Sequence, residues 1–143
     1  MTEKLKKKGN KKMISEIKSE HFDYSSEEKQ LLADARVKMA KWIYENVVPF
    51  INNKIEIGWG GMFSNNGDSV YRWRAIITKN GFFMGCDFGS DKVLPSGKFE
   101  EHPLFPCNMT EQCLKNWNKI KSECLERVEK DKEYLSLLKN FTV

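Results

Sequence analysis

The chain has 143 residues, of which 40% are hydrophobic, 12% aromatic and 31% charged. This length suits one domain, and the apolar content is sufficient to build a core, which excludes global disorder. No apolar run approaches the roughly 20 residues of a membrane crossing, and the N-terminus has no uninterrupted apolar stretch of the signal-peptide kind. We therefore predict a cytoplasmic protein with no membrane partner.

The net charge of +4 is concentrated at the N-terminus. Residues 1–13 contain a single glutamate and six lysines, namely Lys4, Lys6, Lys7, Lys8, Lys11 and Lys12. The rest of the chain is slightly acidic, whereas a domain that binds nucleic acid over a broad surface usually carries its excess positive charge on the folded part. We predict a basic flexible tail over residues 1–21 and a single α+β domain over residues 22–143.

The first predicted helix begins after residue 25. Ser25 stands three residues ahead of Glu28, the spacing of a capping box in which each side chain satisfies a free backbone amide. Apolar residues then recur every three or four positions, at Leu32, Ala35, Met39, Trp42, Ile43, Val47 and Phe50. The pattern predicts one long amphipathic helix over residues 26–48, ending near Pro49.

Alternating apolar residues follow and predict the first strand, over residues 54–60. Farther along, Asn80-Gly81 is the dipeptide typical of a type I′ turn, which joins two antiparallel strands through a two-residue loop. We expect residues 70–79 and 82–89 to pair around that loop.

The predicted register of this hairpin gives each side chain a face and a partner. It places Phe88 against Trp73 on the core side and Arg74 directly across from Asp87 on the opposite face. A polar turn at residues 65–68 connects the first two strands, so the three strands form an antiparallel meander.

A proline-containing loop at residues 90–106 follows the hairpin, with a short fourth edge strand near residues 98–100 as an option. Asn108 or Thr110 is the predicted cap of one last helix, whose apolar stripe continues to Leu138. The expected fold is α+β: a three- or four-stranded antiparallel meander packed on two long helices, in the order helix, three strands, loop, helix.

The cysteine spacing argues against a metal site. Cys86, Cys107, Cys113 and Cys124 include no close Cys-x-x-Cys pair, the usual signature of structural zinc, so we predict neither a metal nor a cofactor. Buried reduced thiols explain the cysteines better, with Cys107 as a loop residue that is exposed and reactive.

No nucleophilic triad, phosphate-binding loop or dinucleotide fingerprint is present, so we predict that the protein is not an enzyme. An acid–base enzyme remains an alternative that requires Asp87, Glu101 and His102 to converge, because both groups must reach one substrate.

The outer face of the sheet is the candidate partner-binding surface. It combines Arg72 and Arg74 with Trp59, Phe63 and Phe83, residue types that anchor protein interfaces. The alternative is that the loop at residues 90–106 folds over this face and buries it.

These observations predict a small non-enzymatic binding protein of the inhibitor or immunity type, acting as a monomer or homodimer that masks a macromolecular partner, most simply a protein. Its size and lack of catalytic motifs are those of inhibitors encoded by phages or mobile elements, which is an analogy of class. The alternative function is a nucleic-acid-associated protein whose lysine tail binds phosphates without sequence preference.

Overall fold

A computed structural model describes residues 23–63 and 70–143, and this part of the chain folds into four antiparallel strands and three α-helices. The predicted basic tail, the predicted turn at residues 65–68 and the side chains of residues 61–71 lie outside the described part. In chain order, the elements are α1 (Ser26–Asn46), a 3₁₀ turn (Val48–Phe50), β1 (Ile55–Phe63), β2 (Val70–Thr78), β3 (Gly81–Cys86), β4 (Gly89–Val93), α2 (Pro106–Lys115) and α3 (Trp117–Asn140). The α+β class is confirmed.

The capping box predicts the start of α1 correctly. The Ser25 hydroxyl accepts a hydrogen bond from the Glu28 backbone N–H at 3.0 Å, and the Glu28 carboxylate accepts one from the Ser25 N–H at 2.8 Å. The helix ends at Asn46, two residues earlier than predicted, because the chain tightens into the 3₁₀ turn that contains Pro49.

The strands form one sheet in the order β1-β2-β3-β4, with each neighbouring pair antiparallel. The meander is therefore confirmed, but the fourth strand is Gly89–Val93 and not a segment near residues 98–100. In that later segment, Phe99 makes a single bridge to Val93.

The β2–β3 hairpin has a different register from the predicted one. Thr78 pairs with Gly81, so the loop consists of Lys79 and Asn80, and the pairing is displaced by two residues. Gly81 has φ +143°, a backbone conformation that favours glycine. Arg74 consequently lies opposite Gly85, and its predicted position directly across from Asp87 is wrong.

Tyr44 of α1 supplies the physical reason for this register. Its hydroxyl donates to the Val93 carbonyl at 2.6 Å and accepts from the Phe82 N–H at 3.2 Å, which ties β3 and β4 to the helix. A Cβ at Gly81 would stand 2.5 Å from that hydroxyl, so only glycine fits beside it. This contact lies far away in sequence and cannot be inferred from the turn residues.

The β3–β4 hairpin turns at Asp87 and Phe88, inside the segment predicted to continue as a strand. Gly89 closes this turn with φ +148°. Phe88 is therefore 50% exposed, and its predicted place against Trp73 on the core side is wrong.

One face of the sheet packs against all three helices. Buried side chains of the strands share a single apolar cluster with those of the helices, including Ile57, Ala75, Ile77, Phe82 and Met84 from the sheet and Met39, Ile43, Met109, Ile120 and Cys124 from the helices. None of the helices in the described part of the chain combines the length and apolar character that a bilayer crossing needs.

The last helical segment is two helices and not one, which corrects the prediction of a second single long helix. Asn116 separates α2 from α3, and its side chain donates to the Gln112 carbonyl at 2.9 Å. Helix α2 also begins earlier than predicted. Its first residue is Pro106, whose missing N–H suits a first helical position. The two predicted caps, Asn108 and Thr110, are buried inside α2.

Candidate functional site

The outer sheet face is the side of the sheet that points away from the helices. Strand alternation places on it Glu56 of β1, Arg72, Arg74 and Ile76 of β2, Phe83 of β3 and Lys92 of β4. These side chains are partly or largely exposed, in contrast to their buried neighbours along each strand.

Arg74 is held between two carboxylates at the centre of this face. Its guanidinium donates to Glu56 Oε2 at 2.7 Å and to Asp87 Oδ1 on the other side. The Arg74–Asp87 pair predicted from the sequence therefore forms, but as a diagonal contact across the sheet. The two carboxylates therefore fix the orientation of the guanidinium.

Asp87 is itself held by the backbone of β2. It accepts a hydrogen bond from the Arg72 N–H at 3.1 Å, and this bond and the Arg74 guanidinium lower the pKa of its carboxyl. Asp87 is consequently ionised at neutral pH. The Arg72 side chain remains 59% exposed and lies 4.0 Å from the Asp87 carboxylate, so it is available for contacts outside the chain.

Arg72, Arg74 and Phe83 thus share the outer face as predicted, but Trp59 does not. Trp59 pairs with the buried Trp73, packs against the core cluster and donates through Nε1 to the Gln112 side chain at 3.1 Å. Its predicted place on the outer face is wrong. The side chain of Phe63 and the six tail lysines lie outside the described part of the chain.

The loop after β4 packs toward α1 and leaves the outer face open. The Arg36 guanidinium donates to the Gly97 carbonyl at 2.7 Å and lies 4.5 Å from the centre of the Phe99 ring. Phe99 and Phe105 pack against the core cluster. Within residues 23–63 and 70–143, these contacts draw the loop to the helical side, so the predicted alternative of a covering loop is not what forms.

Glu56 and Lys92 are outer-face residues that the sequence interpretation did not include in the site. The alternation of β1 already placed Glu56 opposite the core residues Ile55 and Ile57, so this signal was available. Lys92 was hidden because β4 itself was misplaced.

Of the three residues of the enzyme alternative, Asp87 does not line the cleft that Glu101 and His102 share. Glu101 and His102 line a small cleft of about 140 Å³ with Asp91, whereas Asp87 is engaged by Arg74. The Asp91 carboxylate accepts the backbone N–H groups of Lys92 at 2.9 Å and Glu101 at 3.0 Å. Its role there is to hold the loop against β4.

The four cysteines are free thiols, and Cys86, Cys113 and Cys124 are buried. Burial raises the pKa of Cys113 and of Cys124 to about 12. Cys107 is partly exposed, but burial also raises its pKa, which is the opposite of what a reactive thiol requires. In the described part of the chain, no group of three or more His, Cys, Asp or Glu side chains is placed to hold a metal ion.

We expect slow alkylation of the native protein by iodoacetamide, because the thiolate is the reacting species. Only Cys107 should react at pH 7, more slowly than free cysteine, and its rate should rise about tenfold from pH 7 to pH 8, below its raised pKa. Intact-mass analysis gives the number of labels, and labelling in denaturant should reach all four cysteines. Rapid labelling of Cys113 or Cys124 in the folded chain would contradict the packing described above.

Comparisons with known proteins return no match of any of the three kinds: no family model fits the sequence, and no curated protein and no solved structure is significantly similar to it.

Proposed function

We propose that this chain is a small non-enzymatic binding protein that masks the surface of a protein partner with its outer sheet face. The observation that carries the proposal is the placement of Arg74, oriented by Glu56 and Asp87 on a sheet face that the loop after β4 does not cover.

The residue types on this face are those that contribute most to protein binding. Arginine and aromatic side chains dominate measured interface energies, and here Arg72, Arg74 and Phe83 stand on adjacent strands. A guanidinium that is already held by two carboxylates loses little side-chain entropy on binding, which favours affinity.

The charge of the outer face indicates an acidic partner. Among the described residues, its basic side chains are Arg72, Arg74 and Lys92, with Lys54 beside the face in an ion pair with Glu56, and its acidic side chains are Glu56 and Asp87. Excess positive charge around the apolar Ile76 and Phe83 complements an acidic protein surface with an apolar centre, and it speeds association with one.

An inhibitor or immunity protein of the phage or mobile-element type is the class that we propose, acting in the cytoplasm as a monomer or homodimer. Free thiols persist in a reducing compartment, so the four free cysteines support a cytoplasmic location. The alternative is nucleic-acid binding through the lysine tail, and the experiment described next distinguishes it from protein binding.

Reversing the charge of Arg74 should strongly weaken partner binding. Tagged full-length protein is used to recover the partner from the native cell in the presence of nuclease, and the purified pair is then measured by calorimetry. Arg74→Glu should weaken binding at least about thirtyfold, because it removes a central charged anchor and adds a third carboxylate beside two others.

Two further variants keep this test decisive. Arg72→Glu removes a more exposed guanidinium with a looser intramolecular ion pair, so it should weaken binding without unfolding. Lys130→Glu changes the charge equally on the exposed surface of α3 and should leave binding intact. Unchanged binding by both arginine variants would refute the proposal, and loss of every partner on nuclease treatment or on removal of residues 1–13 would favour the nucleic-acid alternative.

A further inference from the structure

A second candidate site is a polar cleft on the helical side of the sheet, between the start of α1, β2 and α2. The cleft has a volume of about 370 Å³, at the small end of the range for ligand sites, and its lining includes Tyr24, Glu28, Trp73, Asn108 and Glu111.

Two of the residues that line the polar cleft are buried polar side chains. Trp73 is only 4% exposed and Asn108 only 6%, whereas the other lining residues are more accessible. Within the described residues, neither the Trp73 indole N–H nor the Asn108 side-chain oxygen has a hydrogen-bond partner. Leaving a donor and an acceptor buried without partners costs free energy, so such groups call for an explanation. A ligand that supplies an acceptor to Trp73 and a donor to Asn108 provides one.

The wall of the cleft is predominantly acidic. Asp23, Glu28 and Glu111 contribute carboxylates, and Lys115, the one cation among the described lining residues, has a side chain that is 63% exposed. Glu111 accepts the Tyr24 hydroxyl at 2.5 Å and lies 3.6 Å from Lys115. An ionised carboxylate has about four acceptor positions, so Glu111 retains capacity for a further donor.

We propose that the polar cleft binds a guanidinium or ammonium group that is accompanied by a hydrogen-bond acceptor, the chemistry of an arginine or lysine residue with its amide carbonyl. The cation donates to Glu111 and to the Asn108 oxygen, and the carbonyl accepts from the Trp73 indole. The same chemistry is available from a free small molecule or from a basic segment of a polypeptide. This site is separate from the outer sheet face and does not rest on the proposed function.

Other occupants fit less well. Among the described lining residues, an anion would face three carboxylates and one exposed ammonium group. A lone water molecule occupies about 30 Å³, a small part of the volume, and makes no use of the acidic wall.

The direct test is an NMR titration of the full-length ¹⁵N-labelled protein with N-acetyl-L-arginine amide. The chain has four tryptophans, and the spectrum of the Trp73→Phe variant identifies the Trp73 indole signal. We expect a saturable shift of that signal. The uncharged isostere N-acetyl-L-citrulline amide should bind at least about tenfold more weakly, because it cannot form charge-assisted hydrogen bonds.

A matched pair of variants tests the acidic wall. Glu111→Gln retains an acceptor for Tyr24 but removes the charge, and it should weaken binding of the arginine probe about tenfold. Glu126→Gln is the control, since Glu126 also lies 3.6 Å from a lysine four residues later in a helix but does not line the cleft. It should leave the affinity unchanged.

A capped peptide with one arginine between glycines separates the two sources of the ligand. If the peptide binds more tightly than N-acetyl-L-arginine amide, the result supports a site for a polypeptide ligand. If the two bind equally, it supports a site for a small molecule. No saturable shift with either probe, equal binding of the citrulline probe, or unchanged affinity in Glu111→Gln would overturn the proposal.

Discussion

Replacing Phe82 with alanine is expected to lower the free energy of unfolding by about 3–5 kcal/mol, the usual cost of removing a fully buried aromatic side chain. Phe82 is 0% exposed and lies on the inner strand β3, paired with Ile77 on β2 and Val93 on β4. The cavity would open between the sheet and the helices, where the packed backbone cannot collapse to fill it. Urea unfolding followed by tryptophan fluorescence measures the change.

Phe83 provides a matched control on the same strand. Its side chain points to the outer face and is partly exposed, so Phe83→Ala should cost about 1 kcal/mol or less. The same variant should weaken binding of the proposed partner. Equal destabilisation by the two variants would mean that the outer face is covered and would remove it as a candidate docking surface.

Replacing Arg36 with alanine is expected to cost about 3 kcal/mol, because the side chain joins three elements at once and its hydrogen bonds are charge-assisted. Its guanidinium donates to the Gly97 carbonyl at 2.7 Å and to the Thr110 hydroxyl at 2.9 Å, and it stacks on Phe99. Without it, the loop after β4 loses its anchor on α1. Denaturant unfolding measures the stability, and amide hydrogen exchange at Gly97 should become faster.

Two further variants serve as comparisons for Arg36→Ala. Arg36→Lys should recover little of the loss, because an ammonium group cannot match the planar guanidinium that bonds two acceptors while stacking on a ring. Arg127→Ala removes one exposed hydrogen bond, to the Lys54 carbonyl at 3.1 Å, and should cost less than about 1 kcal/mol. A comparable loss in Arg127→Ala would contradict the special role assigned to Arg36.

The open outer face and the anchored loop are linked. Arg36 belongs to none of the motifs identified in the sequence, yet it draws the loop at residues 94–105 to the helical side. If the loop were released, its apolar residues would be free to approach other surfaces, including the outer face. Partner binding and loop order should therefore be measured on the same Arg36 variants.

Alternation along the strands was the most dependable signal in the sequence. The predicted register of the β2–β3 hairpin was displaced by two residues, but side chains on a strand alternate with a period of two, so Trp73 and Arg74 kept their predicted faces. The wrong prediction for Trp59 follows from ignoring the same rule. Trp59 lies two residues after the buried Ile57 on one strand, so alternation places it toward the core and not on the outer face with Arg74.

Local chemistry in the sequence determined the start of α1, the antiparallel pairing of the strands and the faces of their side chains, because capping boxes and alternation act between near neighbours. Only the tertiary structure decided the hairpin register, the break at Asn116 within the helical segment and the path of the loop after β4. Contacts distant in sequence determine the register and the path: the Tyr44 hydroxyl ties Phe82 to Val93, and Arg36 reaches Gly97 and Thr110. The polar cleft arises in the same way, because Trp73 and Asn108 line the same cleft only after the sheet and the helices have packed together.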